Sequence, residues 1–147
     1  MSTYGRGRFV CWLPKRVAGF APIPHWIFIN RRYYSKFDDQ NIAFLGLLFH
    51  EVWHQVQMQE TGWWVWASNY LFSRSFRLAA EMTAHVFGDV QKFHEYPEER
   101  MQKWAQKNVK AYFRHSKVPL SAGAIEGILM ALWDNMSEIA LVLEYEL

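Results

Sequence analysis

One stretch decides the fold of this 147-residue chain: residues 41–59, which read NIAFLGLLFHEVWHQVQMQ. The stretch has no proline and many helix formers, so it predicts a helix that Asp38 or Asp39 would cap. Its first half is apolar on every side, which is typical of a central helix buried in a domain. The polar side chains of its second half, beginning at His50, therefore need binding partners.

Two short runs ahead of this helix predict a small N-terminal sheet or hairpin. Residues 9–13 and residues 26–34 are both rich in β-branched and aromatic side chains. In the second run alternate residues divide into two faces, and Pro24 just before it is acceptable at the start of a strand. We expect this second run to be an edge strand.

Three further helices are predicted after the central one. Gly62 ends the first helix, and a connection rich in tryptophan leads into a second helix over residues 69–93. The third helix begins at Pro97, and the fourth begins at Ser121 and carries one apolar stripe. No internal repeat is present, so we expect a single domain over residues 1–147. Its predicted class is α+β, predominantly helical, with a small N-terminal sheet followed by about four helices.

Composition and charge exclude several classes of protein. Apolar residues make up 51% of the chain and charged residues 20%, which excludes a disordered main state. The single cysteine cannot form an intramolecular disulfide, the first residues lack the apolar run of a secretory signal, and no run is long enough to span a membrane. We therefore expect a cytoplasmic protein, or part of a particle assembled there. A net charge of +2 is too small to indicate a nucleic-acid partner for the whole chain.

The central helix carries an HExxH motif, His50-Glu51-Val52-Trp53-His54. Two histidines four positions apart on a helix differ in direction by only about 40° and lie one turn apart, so both imidazoles can bind one metal ion. Glu51 is placed to hydrogen-bond a water molecule on that ion and to take its proton. The alternative is a polar cluster without metal, in which Glu51 bridges a histidine and a basic side chain.

A catalytic zinc site takes a third protein ligand, which should come from another element. The predicted second helix offers Glu81 and His85, which are four positions apart and share a face with Asp89. Either Glu81 or His85 is a candidate ligand, and His85 or Asp89 could instead orient a ligand imidazole. Glu60 is a weaker candidate, because a continuing helix leaves it roughly 80° from the direction of His50.

These residues resemble the gluzincins, zinc metallopeptidases with HExxH and a downstream ExxA or ExxD. The motif is followed 27 positions after His54 by Glu81-Met82-Thr83-Ala84, and the chain is similar in size to the small single-domain minigluzincins. Gln57 also resembles the last residue of the HExxHxxQ variant found in some small bacterial metallopeptidase-like domains. The resemblance covers about residues 26–90.

The resemblance implies His50, His54 and Glu81 as zinc ligands and Glu51 as the general base. Ala84 would be the small residue that lets the two helices approach. A peptide or protein would be the substrate, and the predicted edge strand would pair with it in an extended conformation. The function predicted in this way is hydrolysis of a peptide bond by a zinc-dependent metallopeptidase.

Several other features leave alternatives open. Trp63, Trp64 and Trp66 either line a substrate cleft or pack against neighbouring helices. The third helix carries a basic stripe, for which a solvated face is favoured over nucleic-acid binding: Arg100, Lys103, Lys107, Lys110, Arg114 and Lys117. Five side chains could stabilise charge developing on a substrate oxygen, and the sequence does not choose among them: Tyr70, His94, Tyr112, Arg114 and His115.

The leading alternative function is that of a non-enzymatic scaffold or interaction protein within a larger assembly. Its metal site would serve stability, and its surfaces would bind a protein partner or a second copy of the chain. The complete HExxH motif argues against this function, because structural zinc sites are closed four-ligand cages that are often rich in cysteine, and Cys11 stands alone.

Overall fold

The computed structural model describes residues 8–11, 18–30, 42–113 and 120–146. These ranges contain three strands and five helices, so the chain is α+β and predominantly helical, as predicted. In chain order the elements are β1 (Arg8–Cys11), β2 (Gly19–Ile23), β3 (Trp26–Asn30), α1 (Ile42–Thr61), α2 (Trp63–Phe72), α3 (Arg74–Val90), α4 (Glu98–Phe113) and α5 (Ala122–Glu146). The predicted capping residues Asp38 and Asp39 lie outside the described residues, as do positions 12–13 and 31–34 of the two predicted strands.

The three strands form one sheet in the order β1-β3-β2. The prediction of an edge strand at residues 26–34 was wrong, because β3 lies in the middle, parallel to β1 and antiparallel to β2. The sequence pattern did not predict β2, since Gly19 and Pro22 dilute its strand character. No described strand pairs with the outer edge of β2, so β2 takes the edge position that was expected for β3.

Gln55 of α1 forms hydrogen bonds with the turn between β2 and β3. Its amide oxygen accepts the backbone N–H of His25, and its amide nitrogen donates to the carbonyl oxygens of Ile23 and Trp26. Gln55 is the residue that follows the HExxH motif. The hairpin is therefore held directly over the motif.

The helices after α1 divide differently from the prediction. Gly62 ends α1 as predicted, with φ at 83°. The tryptophan-rich segment that follows is itself helical, and the single helix predicted over residues 69–93 is broken at Ser73, whose backbone is extended. The Ser73 hydroxyl accepts the backbone N–H of Phe76 and caps α3. A serine between two helical stretches is a typical N-cap, and it separates α2 from α3.

Helices α1 and α3 cross with their backbones nearly in contact. A Cβ atom added at Gly88 would lie 2.4 Å from the carbonyl oxygen of Gly46 and 3.5 Å from Cβ of His50. Ala84, one turn earlier on α3, is fully buried, and its part in the approach of the two helices stays a prediction. Because Gly46 and Gly88 have no side chains, the two helices approach closely, and His50 on α1 lies close to α3.

The apolar core has two parts. One joins α3, α4 and α5, and the other joins the sheet with α1 and α2. The apolar stripe predicted on the last helix is confirmed over its described part, with Ile125, Leu129 and Met136 buried and Leu132 half-buried, whereas the side chains of Ile139 and Leu143 lie outside the described residues. No helix in the described ranges is long and apolar enough to cross a membrane.

Candidate metal centre

Three side chains from two helices converge: His50 and His54 on α1, and Glu81 on α3. Nε2 of His50 lies 3.3 Å from Oε2 of Glu81, and Nε2 of His54 lies 3.4 Å from Oε1 of Glu81. Around a tetrahedral zinc ion with bonds of about 2.0–2.1 Å, neighbouring ligand atoms are roughly 3.3–3.4 Å apart. The three ligand atoms lie within 4.8 Å of one another, so this group could hold a metal ion.

Gln57 fixes the orientation of the His54 ring and the position of its proton. The Gln57 amide nitrogen donates to the carbonyl oxygen of Ala80, while its oxygen accepts the indole N–H of Trp66. This orientation leaves only an acceptor for His54 Nδ1, which is 2.9 Å from the same amide oxygen. Nδ1 must therefore carry a proton, and the second ring nitrogen, Nε2, faces the carboxylate of Glu81.

An imidazole lone pair that faces a carboxylate is repelled unless a cation lies between them, either a proton on the ring or a metal ion. Burial alone would lower the pKa of His54, but the hydrogen bond to Glu81 and its negative charge outweigh burial and raise that pKa. Burial alone would raise the pKa of Glu81. The hydrogen bonds that Glu81 forms with His50 and His54 outweigh burial and hold that pKa far below its usual range. Glu81 is therefore ionised at neutral pH, and the group attracts a cation.

Helix α2 supports the same group from a third direction. The hydroxyl of Tyr70 donates a hydrogen bond to Oε1 of Glu81. The Tyr70 ring stacks on Trp66 with centroids 4.6 Å apart, and both rings form T-shaped pairs with the His54 ring. Sequence reasoning missed these contacts, because it treated the start of α2 as a connection and Tyr70 only as a candidate for binding substrate charge.

Glu51 lies beside this group but outside it. Its side chain is 3% exposed, and Oε2 has no hydrogen-bond partner among the described residues. Burial raises its pKa, and the nearby His50 and His54 oppose that rise. No described lysine or arginine pairs with Glu51, so the basic partner required by a metal-free polar cluster is not found in the described part of the chain.

The other predicted candidates lie elsewhere. His85 Nε2 is 3.2 Å from Oδ2 of Asp89, and the same carboxylate pairs with Lys92 and with Nε of Arg100. Burial lowers the pKa of His85 to about 4, since the attraction of Asp89 does not compensate for lost solvation. His85 is thus neutral near pH 7, and the His85–Asp89 contact is not an ion pair there. The cluster forms a buried structural group between α3 and α4.

The structure also locates several residues for which the sequence left more than one role open. Glu60 is exposed, and His94 is exposed in the segment after α3, where no described contact links either residue to the candidate ligands. Of the remaining residues considered for substrate charge, Arg114, His115 and the side chain of Tyr112 lie outside the described residues. Trp66 borders the candidate centre, whereas Trp64 is 75% exposed.

The described part of the basic stripe on α4 is a largely solvated face. Lys103 pairs with Glu99, and both side chains are mostly exposed, while Arg100 pairs with the buried Asp89. Lys107 and Lys110 are also exposed, and Arg114 and Lys117 lie outside the described residues. The guanidinium of Arg100 also lies over the ring of Phe93, 5.9 Å from the ring centroid, and Phe93 is 37% exposed.

A cavity of about 440 Å³ opens beside the ligand group. Strand β2 and helix α2 form its walls, and the indole N–H of Trp63 joins these walls by donating to the carbonyl oxygen of Pro22. The cavity is lined by Gly19, Phe20, Ala21, Pro22, His50, Glu51, His54, Trp66, Ala67, Tyr70, Leu71 and Glu81. The candidate ligands and Glu51 therefore face a space large enough for part of a second molecule.

No family model, curated protein or solved structure matches this chain. The chemistry of the centre is therefore argued from its own groups: two imidazoles, one ionised carboxylate between them, and a second buried carboxyl group facing the cavity.

Proposed function

We propose that this protein is a zinc-dependent hydrolase, a metallopeptidase of the gluzincin type that cleaves a peptide bond. His50, His54 and Glu81 would hold the ion, and Glu51 would act as general base. The observation that carries the proposal is the position of Glu51, whose buried carboxyl group has one oxygen without a partner among the described residues and faces the cavity beside three candidate ligands.

The donor set suits zinc. Two imidazole nitrogens and one carboxylate oxygen form a three-ligand set used by catalytic zinc sites, which keep the fourth position for water or substrate. Zinc bound there would act as a Lewis acid that lowers the pKa of a water molecule to about 7 and polarises the scissile carbonyl. The alternative of a purely structural site is less favoured, because structural zinc sites have four protein ligands and the described residues supply three.

Glu51 would move the proton in this reaction. The water oxygen attacks the carbonyl carbon, Glu51 takes the water proton, and the same carboxyl group then delivers a proton to the departing amine as the C–N bond breaks. A carboxyl oxygen without a protein partner is able to serve both steps. Asp89 does not compete for this role, because its carboxylate already pairs with Lys92 and Arg100.

Strand β2 is proposed to hold the substrate backbone. The backbone N–H of Asn30 donates to the carbonyl oxygen of Ala18, the residue before β2, so the hydrogen bonding of β2 and β3 continues to these two residues. The next residue, Gly19, pairs with Ile29 and directs its own N–H and C=O away from β3. Gly19 lies against Glu51 and lines the cavity, so a peptide added to this edge would pass beside the general base.

The test is a comparison of peptide cleavage by the zinc-loaded protein and by Glu51→Gln, measured by mass spectrometry on a synthetic peptide library. We expect the variant to retain zinc and to lose cleavage by about 10²- to 10⁴-fold, the usual contribution of a general base. The matched control is Glu60→Gln, on the same helix but exposed, which should cleave as the wild type does. Undiminished cleavage by Glu51→Gln, or no cleavage by the zinc-loaded wild type, would contradict the proposal. A cytoplasmic location stays a prediction from the sequence.

A further inference from the structure

Helix α2 carries large apolar side chains on both of its sides, although only one side packs against the rest of the protein. The inward side is buried or half-buried: Trp63, Trp66, Ala67 and Tyr70. The outward side carries four large apolar residues that are 75%, 57%, 65% and 86% exposed, in the order Trp64, Val65, Leu71 and Phe72. A helix that is apolar all round is normally covered on every side, so the outward side of α2 lacks a cover.

These four exposed residues form one surface, the α2 patch. At about 100° per residue they lie within an arc of roughly 120°, and the polar residues on that side are the uncharged Ser68 and Asn69. The patch presents roughly 500 Å² of apolar surface, since a large aromatic side chain alone contributes about 150–250 Å². Apolar patches of this size on a protein surface often mark an interaction site.

The charge around the α2 patch is positive. Residues 61–80 contain two arginines and no acid. Arg74 is exposed, and neither Arg74 nor Arg77 pairs with an acid among the described residues. The guanidinium of Arg77 donates to the carbonyl oxygens of Tyr70 and Leu71, which fixes its positive charge at the C-terminal end of α2. A partner that covers the patch should therefore have a negatively charged surface.

We propose that the α2 patch docks on the surface of a membrane that contains anionic lipids. Its apolar side chains enter the boundary between the headgroups and the acyl chains, and the two arginines meet the lipid phosphates. Helix α2 has ten residues and is about 15 Å long, half of the roughly 30 Å of a hydrocarbon core, so it lies along the surface and does not cross it. The proposal does not depend on the peptidase function.

A second copy of the chain is a less suitable partner for the patch. A stable protein interface buries about 800 Å² on each partner, which is more than the patch presents. Two patches packed face to face would also bring the arginines of both copies together, and residues 61–80 supply no acid to pair with them. A bilayer avoids both limits, because it supplies the negative charge itself and takes up apolar side chains one by one.

Two substitutions separate the apolar and the charged contributions. Phe72→Ser removes the most exposed side chain of the patch and should weaken binding to vesicles by about 10-fold or more. Arg74→Gln removes one positive charge and should weaken binding to anionic vesicles by about 5-fold. The matched control is Met130→Ser on α5, where an apolar side chain is 51% exposed outside the patch, and this variant should bind as the wild type does.

The experiment measures the partition of the full chain into sedimented vesicles of phosphatidylcholine, with and without phosphatidylglycerol. Circular dichroism and unfolding curves check that each variant is folded. Sedimentation velocity without vesicles reports whether the chain forms a dimer. The partition is repeated at high salt, which screens the attraction between the arginines and the lipid phosphates.

We expect the wild type to bind vesicles that contain phosphatidylglycerol at least about 10-fold more strongly than vesicles of phosphatidylcholine alone, and less strongly at high salt. No binding to the anionic vesicles, no effect of phosphatidylglycerol, or equal losses in Phe72→Ser and Met130→Ser would overturn the proposal. A dimer that Phe72→Ser dissociates, without vesicle binding by the wild type, would assign the patch to a second copy and overturn the proposal as well.

Discussion

Gly88→Ala tests whether the crossing of α1 and α3 positions the three candidate metal ligands. The added Cβ would lie 2.4 Å from the Gly46 carbonyl oxygen, against 3.4 Å or more for an ordinary contact, so the two backbones must separate by about 1 Å. The same crossing places His50 opposite Glu81. Metal–ligand distances tolerate a change of only about 0.2 Å, so a shift of this size should disrupt the three-ligand arrangement.

Two opposing contributions set the stability of this variant. Overpacking of a tight contact costs about 1–3 kcal/mol, while replacing glycine by alanine inside a helix contributes about 1 kcal/mol of stability. The expected net loss is therefore up to about 2 kcal/mol, measured by denaturant unfolding. Zinc affinity, measured by competition with a chelator, should fall by at least about 10-fold, because one ligand is moved out of reach.

The matched control is Gly127→Ala on α5. A Cβ at Gly127 would meet nothing within 4 Å, so this variant should gain about 0.5–1 kcal/mol and bind zinc as the wild type does. Wild-type zinc affinity in Gly88→Ala would refute the reasoning, because the close approach would then not be needed for the ligand geometry. A loss of affinity in both variants would refute it as well.

Three further outcomes are expected. Tyr70→Phe removes the hydroxyl that donates to Glu81 and should weaken zinc binding by about 10-fold in the chelator assay, with little change in unfolding free energy. Gln57→Leu leaves the His54 Nδ1 proton without its acceptor and should weaken zinc binding by about 10- to 100-fold. The pKa of His85 is about 4 in the folded chain and near 6.5 when unfolded, so protons favour the unfolded state as pH falls from about 6.5 to about 4. Stability should decrease across that window by at most about 3 kcal/mol, and unfolding curves of His85→Gln should lack this part of the pH dependence.

The sequence predicted the central helix and its HExxH motif because apolar periodicity and ligand spacing are local properties of the chain. The sequence also identified Glu81 as a candidate ligand, because two helices joined by a short connection can pack face to face. The helical spacing alone left Glu81 and His85 open, and only the resemblance favoured Glu81. The structure shows His85 beside Asp89 and Trp104. Both residues lie on α3, and the pattern on one helix does not determine which of two neighbouring positions faces another helix.

The remaining errors concern non-local features. Strand β2 was missed because Gly19 and Pro22 are poor strand formers, although the lack of a side chain at Gly19 leaves room for Glu51. A Cβ atom at position 19 would lie 3.0 Å from Oε1 of Glu51. Strand β3 lies in the middle of the sheet because it also pairs with β1, and a local sequence pattern does not predict which strands pair. The hydrogen bond between Tyr70 and Glu81 depends on the break at Ser73, which a continuous helical pattern concealed.

Zinc content is the most direct test of the central claim, that His50, His54 and Glu81 form one metal site. The protein is purified without added metal, equilibrated with zinc and dialysed, and its zinc is counted per chain by mass spectrometry. We expect one zinc per chain in the wild type and in the control His94→Ala, and none in His54→Ala or Glu81→Ala. Absence of zinc from the wild type, or its retention in both ligand variants, would contradict the account.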